Sequence, residues 1–320
     1  MTAARREVPG GRPPGSAHRG AVPGGRPSGS APRVTSRDAR FQQWQALLSN
    51  RAKRQRSGEF IVQGVRPITL AVRHGWQIRA LLYDADGAAS RWAREMLDTV
   101  AATKVAVSAD LMHELGEKTD ASPELLAIVA LPDDDLARIP AGPGMLTVVF
   151  DRPASPGNIG TLVRSADAFG ASGVIVTGHA ADVYDPRSVR ASTGSLFSVP
   201  VVRVPSHRPV LDWADALRAS GTGVRLVGTD ENGDVDVADV DFTRPTMLLV
   251  GSEAAGLSVA WREACDDLAR IPMLGAASSL NAAVAASVVL YESVRQRSVA
   301  RRSSAAGRTE PCDPGPSRGF

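Results

Sequence analysis

Cysteine, histidine, aromatic residues and long apolar runs are all scarce in this chain, and each scarcity removes a class of function. Cys265 and Cys312 are its only cysteines, too few for a disulfide framework and without zinc-site spacing. His18, His74, His113, His179 and His207 include no pair at helical ligand spacing, so no metal is expected. The strongest apolar stretch, around Ala282 to Tyr291, falls far short of the roughly 20 residues that cross a bilayer. No apolar signal-peptide core follows Met1, which makes the cytoplasm the expected location and leaves no membrane partner. Aromatics are 5% of the residues, so any base-stacking surface is limited to one or two side chains.

What is present is a globular composition. The 320 residues are 43% hydrophobic, enough for a substantial core and two ordinary domains. The formal charge is only +3, but arginine far outnumbers lysine and gathers toward the ends. Charge alone leaves two readings open, a nucleic-acid-binding surface and a solubilising extension.

Residues 1–36 are of low complexity, with VPGGRPPGSA at Val8 repeated as VPGGRPSGSA at Val22. Such Pro/Gly/Ser density cannot offset ordering entropy, so a disordered tail is expected there and again over 301–320. From 37 to 140 the pattern is a small α/β unit. Phe41, Trp44, Leu47 and Leu48 mark a first helix, and the basic run Arg51, Lys53, Arg54 and Arg56 is expected in a loop. EFIVQG, IRALLYD and LLAIVALP follow as strands. From 144 to 300 strands and helices alternate steadily: MLTVVFD, GVIVTG, VRLVGTD and TMLLVG are apolar strands, DPRSVRASTGSLF reads as helical, and a last helix runs from about Leu280 to Arg297 with a buried stripe of Leu280, Val284, Val288 and Tyr291. That alternation implies a parallel sheet covered by helices on both faces, with ligands held beyond the strands' carboxyl ends.

Three loops leave strands in that direction. In SPGNIGTLVRSADAFG, Pro156 and Gly157 turn the chain and Gly160 exposes backbone at a helix entrance, with Arg164 off the stripe of Leu162, Ala166 and Phe169. A phosphate site and a routine strand-to-helix connection both fit. In LLVGSEAAGLS, Gly251 allows close approach to the main chain, and Glu253 is either a site carboxylate or a turn cap. In IPMLGAASSLNAAV, Ser279 and Asn281 are either reactive groups or N-caps.

Together, Asn158-x-Gly160-x-x-x-Arg164, Gly251-x-Glu253-x-x-Gly256-Leu257-Ser258 and Ile271-Pro272-Met273 with Ser279-Leu280-Asn281 resemble the three ordered motifs of the SpoU/TrmH family. This family, in the SPOUT superfamily, comprises S-adenosylmethionine-dependent RNA ribose 2′-O-methyltransferases. The resemblance spans about residues 145–298, and the preceding unit is similar to the family's L30e-like RNA-binding domain. RFQQWQALL, HAADVYDP and STGSLFS are further similar to members that methylate uridine in 23S rRNA in antibiotic-producing actinomycetes.

The resemblance implies an α/β fold with a C-terminal trefoil knot, a homodimer, and 23S rRNA or a large-subunit precursor as substrate, with resistance to a ribosome-targeting antibiotic as a consequence. It places Asn158, Arg164, Glu253, Ser279 and Asn281 in the catalytic centre. It puts S-adenosylmethionine against Thr229, Gly251, Ile271, Leu280 and Ala283, and no metal. Asn158 is expected to orient Arg164 or the ribose, and Ser279 to meet the substrate phosphate. Ala283 departs from the family's usual serine, which removes one polar contact. Arg51, Lys53, Arg54 and Arg56 are the candidate phosphate contacts. A guanidinium is cationic at ordinary pH, so steadying the developing alkoxide suits Arg164 better than literal base catalysis. A tRNA methyltransferase of the same family and a non-catalytic RNA binder are the competing readings.

Overall fold

The computed structural model describes residues 32–116 and 122–306. The expected tails therefore lie mostly outside the described residues. At both borders, however, structure reaches further than the sequence suggests. Arg33–Val34 forms a strand (β1) that pairs with the first sheet, and the last helix continues to Ala306 rather than stopping near Arg297.

The first unit runs α1 (Ala39–Ser49), α2 (Arg51–Ser57), β2 (Glu59–Gln63), α3 (Val65–Arg73), β3 (Ile78–Asp84), α4 (Arg91–Thr99), β4 (Thr103–Val107), α5 (Ala109–Leu115) and β5 (Leu125–Ala130). Its sheet has the order β1-β4-β3-β5-β2. β1, β4 and β3 are parallel, and β5 runs antiparallel to both β3 and β2. Asp38 starts α1 by accepting the Phe41 N–H at 2.9 Å, and Phe41, Trp44 and Leu47 are buried at the expected helical spacing.

The basic run is not a loop. It is α2, capped by Asn50, which accepts the Lys53 N–H at 3.0 Å, and ended by Gly58 at φ +64°. Without apolar periodicity the helix is invisible to a pattern search, but its two caps define it.

The second unit contains β6 (Leu146–Asp151), α6 (Pro156–Ala168), β7 (Gly173–Thr177), α7 (Pro186–Ala191), β8 (Val201–Val204), α8 (Arg208–Ala219), β9 (Arg225–Thr229), β10 (Val235–Asp236), β11 (Thr246–Val250), α9 (Val259–Ala264), β12 (Asp267–Arg270) and α10 (Ala282–Ala306). The sheet is parallel throughout, in the order β10-β12-β9-β11-β6-β7-β8. Every residue of β6, β7 and β11 is buried, as strands covered on both faces must be. Leu146, Val148 and Phe150 face a cluster with α6 and α10, whereas Val149 faces the cluster of α8 and α9 around Val210 and Trp261. The stretch DPRSVRASTGSLF is only half helical. α7 ends at Ala191, Gly194 turns at φ +98°, and Ser195–Phe197 is a separate 3-10 turn.

α10 reverses the expected stripe. Leu280, just before it, is 37% exposed, and Val284, Val288 and Tyr291 are 48%, 38% and 59% exposed, while Ala283, Ala286, Val289 and Leu290 are fully buried. The inner face is rich in alanine because α10 lies close against α6, where the Ser165 and Ser287 hydroxyls meet at 2.7 Å. Ala283, Ala286 and Ser287 keep that seam narrow, and Val284, Val288 and Tyr291 fall on the other side of the helix.

The two units share one core, in which Phe60 and Ile68 of the first pack with Tyr184 and Phe197 of the second. Arg54 crosses the junction, donating to Asp182 Oδ2 at 2.7 Å with both side chains almost fully buried.

Candidate active site

The carboxyl ends of β9, β11 and β12 open into a cavity of about 540 Å³. Thr229 ends β9, Gly251 follows β11, Ile271 follows β12 and Leu280 precedes α10, and all four line it. Ala283 does not. Its side chain is fully buried and its N–H is taken by Asn281 Oδ1 at 3.0 Å, so Ala282 and Ala285 reach the cavity wall instead. Helical geometry explains the exchange, since Ala283 lies on the α6-facing side of α10.

The wall after β11 is a tight hairpin. Ser252 and Gly256 exchange both backbone hydrogen bonds at 3.0 Å. A Cβ on Gly251 would lie 2.1 Å from the Gly256 carbonyl carbon, so any side chain there would force the hairpin apart. This main-chain cradle, with Val250, Ile271, Met273 and Leu280 beside it, suits a flat, partly apolar ligand held by backbone groups.

The three loops meet at one side chain. Asn158 Nδ2 donates to Glu253 Oε1 at 2.7 Å, and Asn281 Nδ2 donates to Asn158 Oδ1 at 3.2 Å. Glu253 also accepts the Ala154 N–H at 3.1 Å. Burial alone would raise its pKa, but the hydrogen bonds from Asn158 and from backbone N–H groups outweigh it and hold the carboxyl below the usual glutamate range. Asn281 has a second duty as the cap of α10. Asn158 thus joins the three motifs and makes no bond to Arg164.

α6 begins at Pro156, with Ser155 Oγ accepting the Asn158 N–H at 3.4 Å, so Asn158 and Gly160 are helical rather than part of an entrance loop. Gly160 is buried, and a Cβ there would lie 2.2 Å from the Ser188 carbonyl oxygen. Its function is close approach of α6 to α7. Arg164 stands on the exposed face, under two turns or about 9 Å beyond Asn158 along the axis, with no hydrogen bond or ion pair among the described residues. Ser279 is exposed on the cavity rim, likewise without a hydrogen bond.

The basic run divides by helical phase. Arg54 is 2% exposed and holds Asp182 and the Leu47 carbonyl, so it is a docking residue and not a phosphate contact. Arg51 is exposed but also donates to the Ala180 carbonyl at 2.6 Å. Arg56 is exposed and Lys53 half-buried.

Several site residues escape a motif search. Asp230, Glu231 and Asn232 line the cavity after β9, and a parallel strand ending in an Asp-Glu-Asn-Gly turn was the available signal. Asp151 and Arg152, at the end of β6, carry no recognisable motif. Cys265 is half-buried and burial pushes its thiol up to about 12, which leaves it no nucleophilic use at neutral pH.

Residues 38–127 match the SpoU L30e-like domain and residues 145–291 the SpoU rRNA Methylase family. The chain is 64% identical to the 23S rRNA (uridine(2479)-2′-O)-methyltransferase of Streptomyces viridochromogenes, over 83% of this chain and 92% of that protein. The crystal structure of the SpoU methyltransferase AviRb from that organism, in complex with the cofactor AdoMet, superposes with a TM-score of 0.79, covering 82% of this chain and 98% of the other. An AdoMet-bound rRNA methyltransferase from Sinorhizobium meliloti, 31% identical, gives 0.74 over 83% and 98%.

Proposed function

The chain belongs to the SpoU rRNA methylase family, and from that premise we propose that it methylates the ribose 2′-hydroxyl of a uridine in 23S rRNA, with S-adenosylmethionine as methyl donor. The observation that carries this reading is the joining of three strand-end loops, distant in sequence, through Asn158, Glu253 and Asn281 at the rim of a 540 Å³ cavity. Residues 37–140 serve as the RNA-binding unit and 144–300 as the catalytic unit, with the C-terminal segment threaded as the family's trefoil knot.

The cavity fits the donor on structural grounds. Its volume lies in the usual ligand range, its hairpin has no room for a side chain at Gly251, and its mixed lining sets Val250, Ile271, Met273 and Leu280 beside polar groups. Gly251, Ile271 and Leu280 would hold the donor through main chain, with Thr229 beside them. When bound, the donor supplies an electrophilic methyl group on a sulfonium.

The protein's contribution is alignment and charge. Glu253 and Asn281 clamp Asn158 from two loops, which fixes α6 and its Arg164 relative to the cavity. Arg164, without a partner among the described residues, holds the substrate phosphate and steadies the 2′-oxygen as its proton passes to solvent. Ser279 lies where a second phosphate oxygen can be met. Arg51, Lys53 and Arg56 extend the contacts over the first unit and position the RNA without reading its sequence.

The decisive experiment incubates the protein with S-adenosylmethionine and 23S rRNA and maps ribose methylation. One new 2′-O-methyluridine is expected. Donor binding without methylation of any RNA would identify a binder, and methylation confined to tRNA would redirect the substrate. Arg164→Lys should cost about 100-fold in turnover; a near-normal rate with an unchanged pH profile would remove the guanidinium from the mechanism. Resistance to a ribosome-targeting antibiotic belongs to the same reading, and a host expressing the protein should lose it with Arg164→Ala.

The outward stripe of Val284, Val288 and Tyr291 continues from Leu280 on the cavity wall. A second copy of the chain is its proposed occupant, which brings each site to the edge of a homodimer interface. Val288→Asp should sediment as a monomer; an unchanged sedimentation coefficient would assign the stripe another role. No helix among the described residues is long and apolar enough to cross a membrane, and action on rRNA is the support for a cytoplasmic location.

A further inference from the structure

Arg152 occupies the left-handed region at φ +50°, one of two non-glycine residues among the described residues to do so. It stands between β6 and the helix that carries Asn158 and Arg164. Backbone held in this region is retained where something else depends on it. Here that is the guanidinium, whose Nε donates to Asp151 Oδ2 at 3.1 Å and whose Nη2 reaches the Gly256 carbonyl at 3.4 Å.

Asp151 is itself a hub. It is 4% exposed, accepts the Thr177 hydroxyl at 3.2 Å, and accepts the Ser258 N–H at 3.1 Å. The neighbouring chain leaves space for the arrangement. Gly178 sits at φ +71°, and a Cβ there would lie 2.7 Å from Arg152 Cγ.

The hairpin after β11 is therefore held at both limbs. Glu253 ties its outgoing limb to Ala154 and Asn158, while Asp151 and Arg152 tie its returning limb at Gly256 and Ser258. We propose that Arg152, with Asp151, is a positioning residue that sets the donor-binding hairpin against the substrate-bearing segment. It touches neither reactant in this role, and it rests on the methyltransferase reading of the same cavity. The left-handed backbone aims the guanidinium back across the β6 end toward the hairpin, which an extended residue would not do.

The test separates backbone from guanidinium. Arg152→Gly and Arg152→Asn both accept the left-handed backbone, so each should keep its circular dichroism spectrum; leaving the buried Asp151 without its guanidinium lowers both melting temperatures, and binding is read where both variants are fully folded. Both should weaken S-adenosylmethionine binding, measured by calorimetry, by about tenfold, the scale of one charge-assisted hydrogen bond. Affinity for 23S rRNA should stay unchanged, and Arg152→Lys should recover part of the donor affinity through Asp151. Donor binding within twofold of the parent in both variants, or a loss confined to RNA affinity, or a donor loss that vanishes at temperatures where the variants are fully folded, would overturn the inference. A parent protein that binds no donor would overturn the methyltransferase reading itself, which distinguishes the two failures.

Discussion

Two junctions organise this molecule, and they are built from opposite materials. Where the first unit meets the second, Arg54 and Asp182 pair in the interior beside the Phe60, Trp76, Tyr184 and Phe197 rings. Where the three motif loops meet, Asn158, Glu253 and Asn281 bond at the surface, open to solvent. The first junction is closed to solvent: the Arg54 guanidinium and the Trp76 Nε1–H are bonded inside it, and the Tyr184 hydroxyl, which has no hydrogen-bond partner among the described residues, is buried out of a ligand's reach. The second is open to solvent and flanked by Arg164 and Ser279, which have no hydrogen-bond partner among the described residues. Burial commits the one to stability, and exposure frees the other for turnover.

The largest effect should come from breaking the buried junction. Arg54→Ala leaves Asp182 charged and nearly solvent-free, which should cost about 3–5 kcal/mol in denaturant unfolding. The folded fraction should still turn over close to normally, because no motif residue touches Arg54. A loss below about 1 kcal/mol, the scale of a surface pair, would erase the contrast between the junctions.

The two junctions also differ in how far the sequence reveals them. The strands of the parallel sheet were legible because β6, β7 and β11 are buried on both faces and read as continuous apolar runs. The exposed junction was legible as motifs, since Asn158, Glu253 and Asn281 resemble those of a family. Their mutual bonds were not, because hydrogen bonds across 95 and 123 residues leave no local trace. Arg54 looked like part of a solvated basic run, since its partner lies 128 residues away. The buried face of α10 is hidden from the sequence for a similar reason. Side-chain size suggests that Val284 and Val288 are inside, but the tight approach to α6 admits alanine and turns the valines out. Local pattern shows Gly160 as exposed backbone, whereas it serves the close crossing of α7. Patterning finds elements, and neighbours decide their faces.

Breaking the exposed junction should give the converse phenotype. Asn158→Ala removes one hydrogen bond to a carboxylate and one from Asn281. The unfolding free energy should hardly change, because water can replace both bonds. Turnover should fall about 10- to 100-fold, the kinetic equivalent of losing a hydrogen bond to a charged group. Calorimetric affinity for S-adenosylmethionine should fall far less, by no more than about threefold, because the Ala154 N–H still holds Glu253 on the cavity wall. If donor affinity and turnover fall together, Asn158 holds the cavity rather than the substrate side, and the division between wall and joint fails.

The smallest effect is in acid. Glu253 has its carboxyl held below the ordinary value of 4.5 by the Asn158 and backbone hydrogen bonds, despite opposing burial. A depressed carboxylate contributes its stabilisation in full above the unfolded value and loses it as pH falls through the folded one. Donor affinity should therefore be level from neutral pH down to the ordinary glutamate range and weaken only below it, to the extent that the hairpin loses its outgoing tie. Because Glu253 is largely solvent-exposed, this contribution should not exceed about 1 kcal/mol. Glu253→Gln should remove the acid limb attributable to this group. It should also bind donor a little more weakly at neutral pH, since one amide oxygen cannot serve both the Ala154 N–H and Asn158 as two carboxylate oxygens do. An acid limb identical in the variant would move the titrating group elsewhere. It would also leave the hairpin dependent on its other tie, through Asp151 and Arg152.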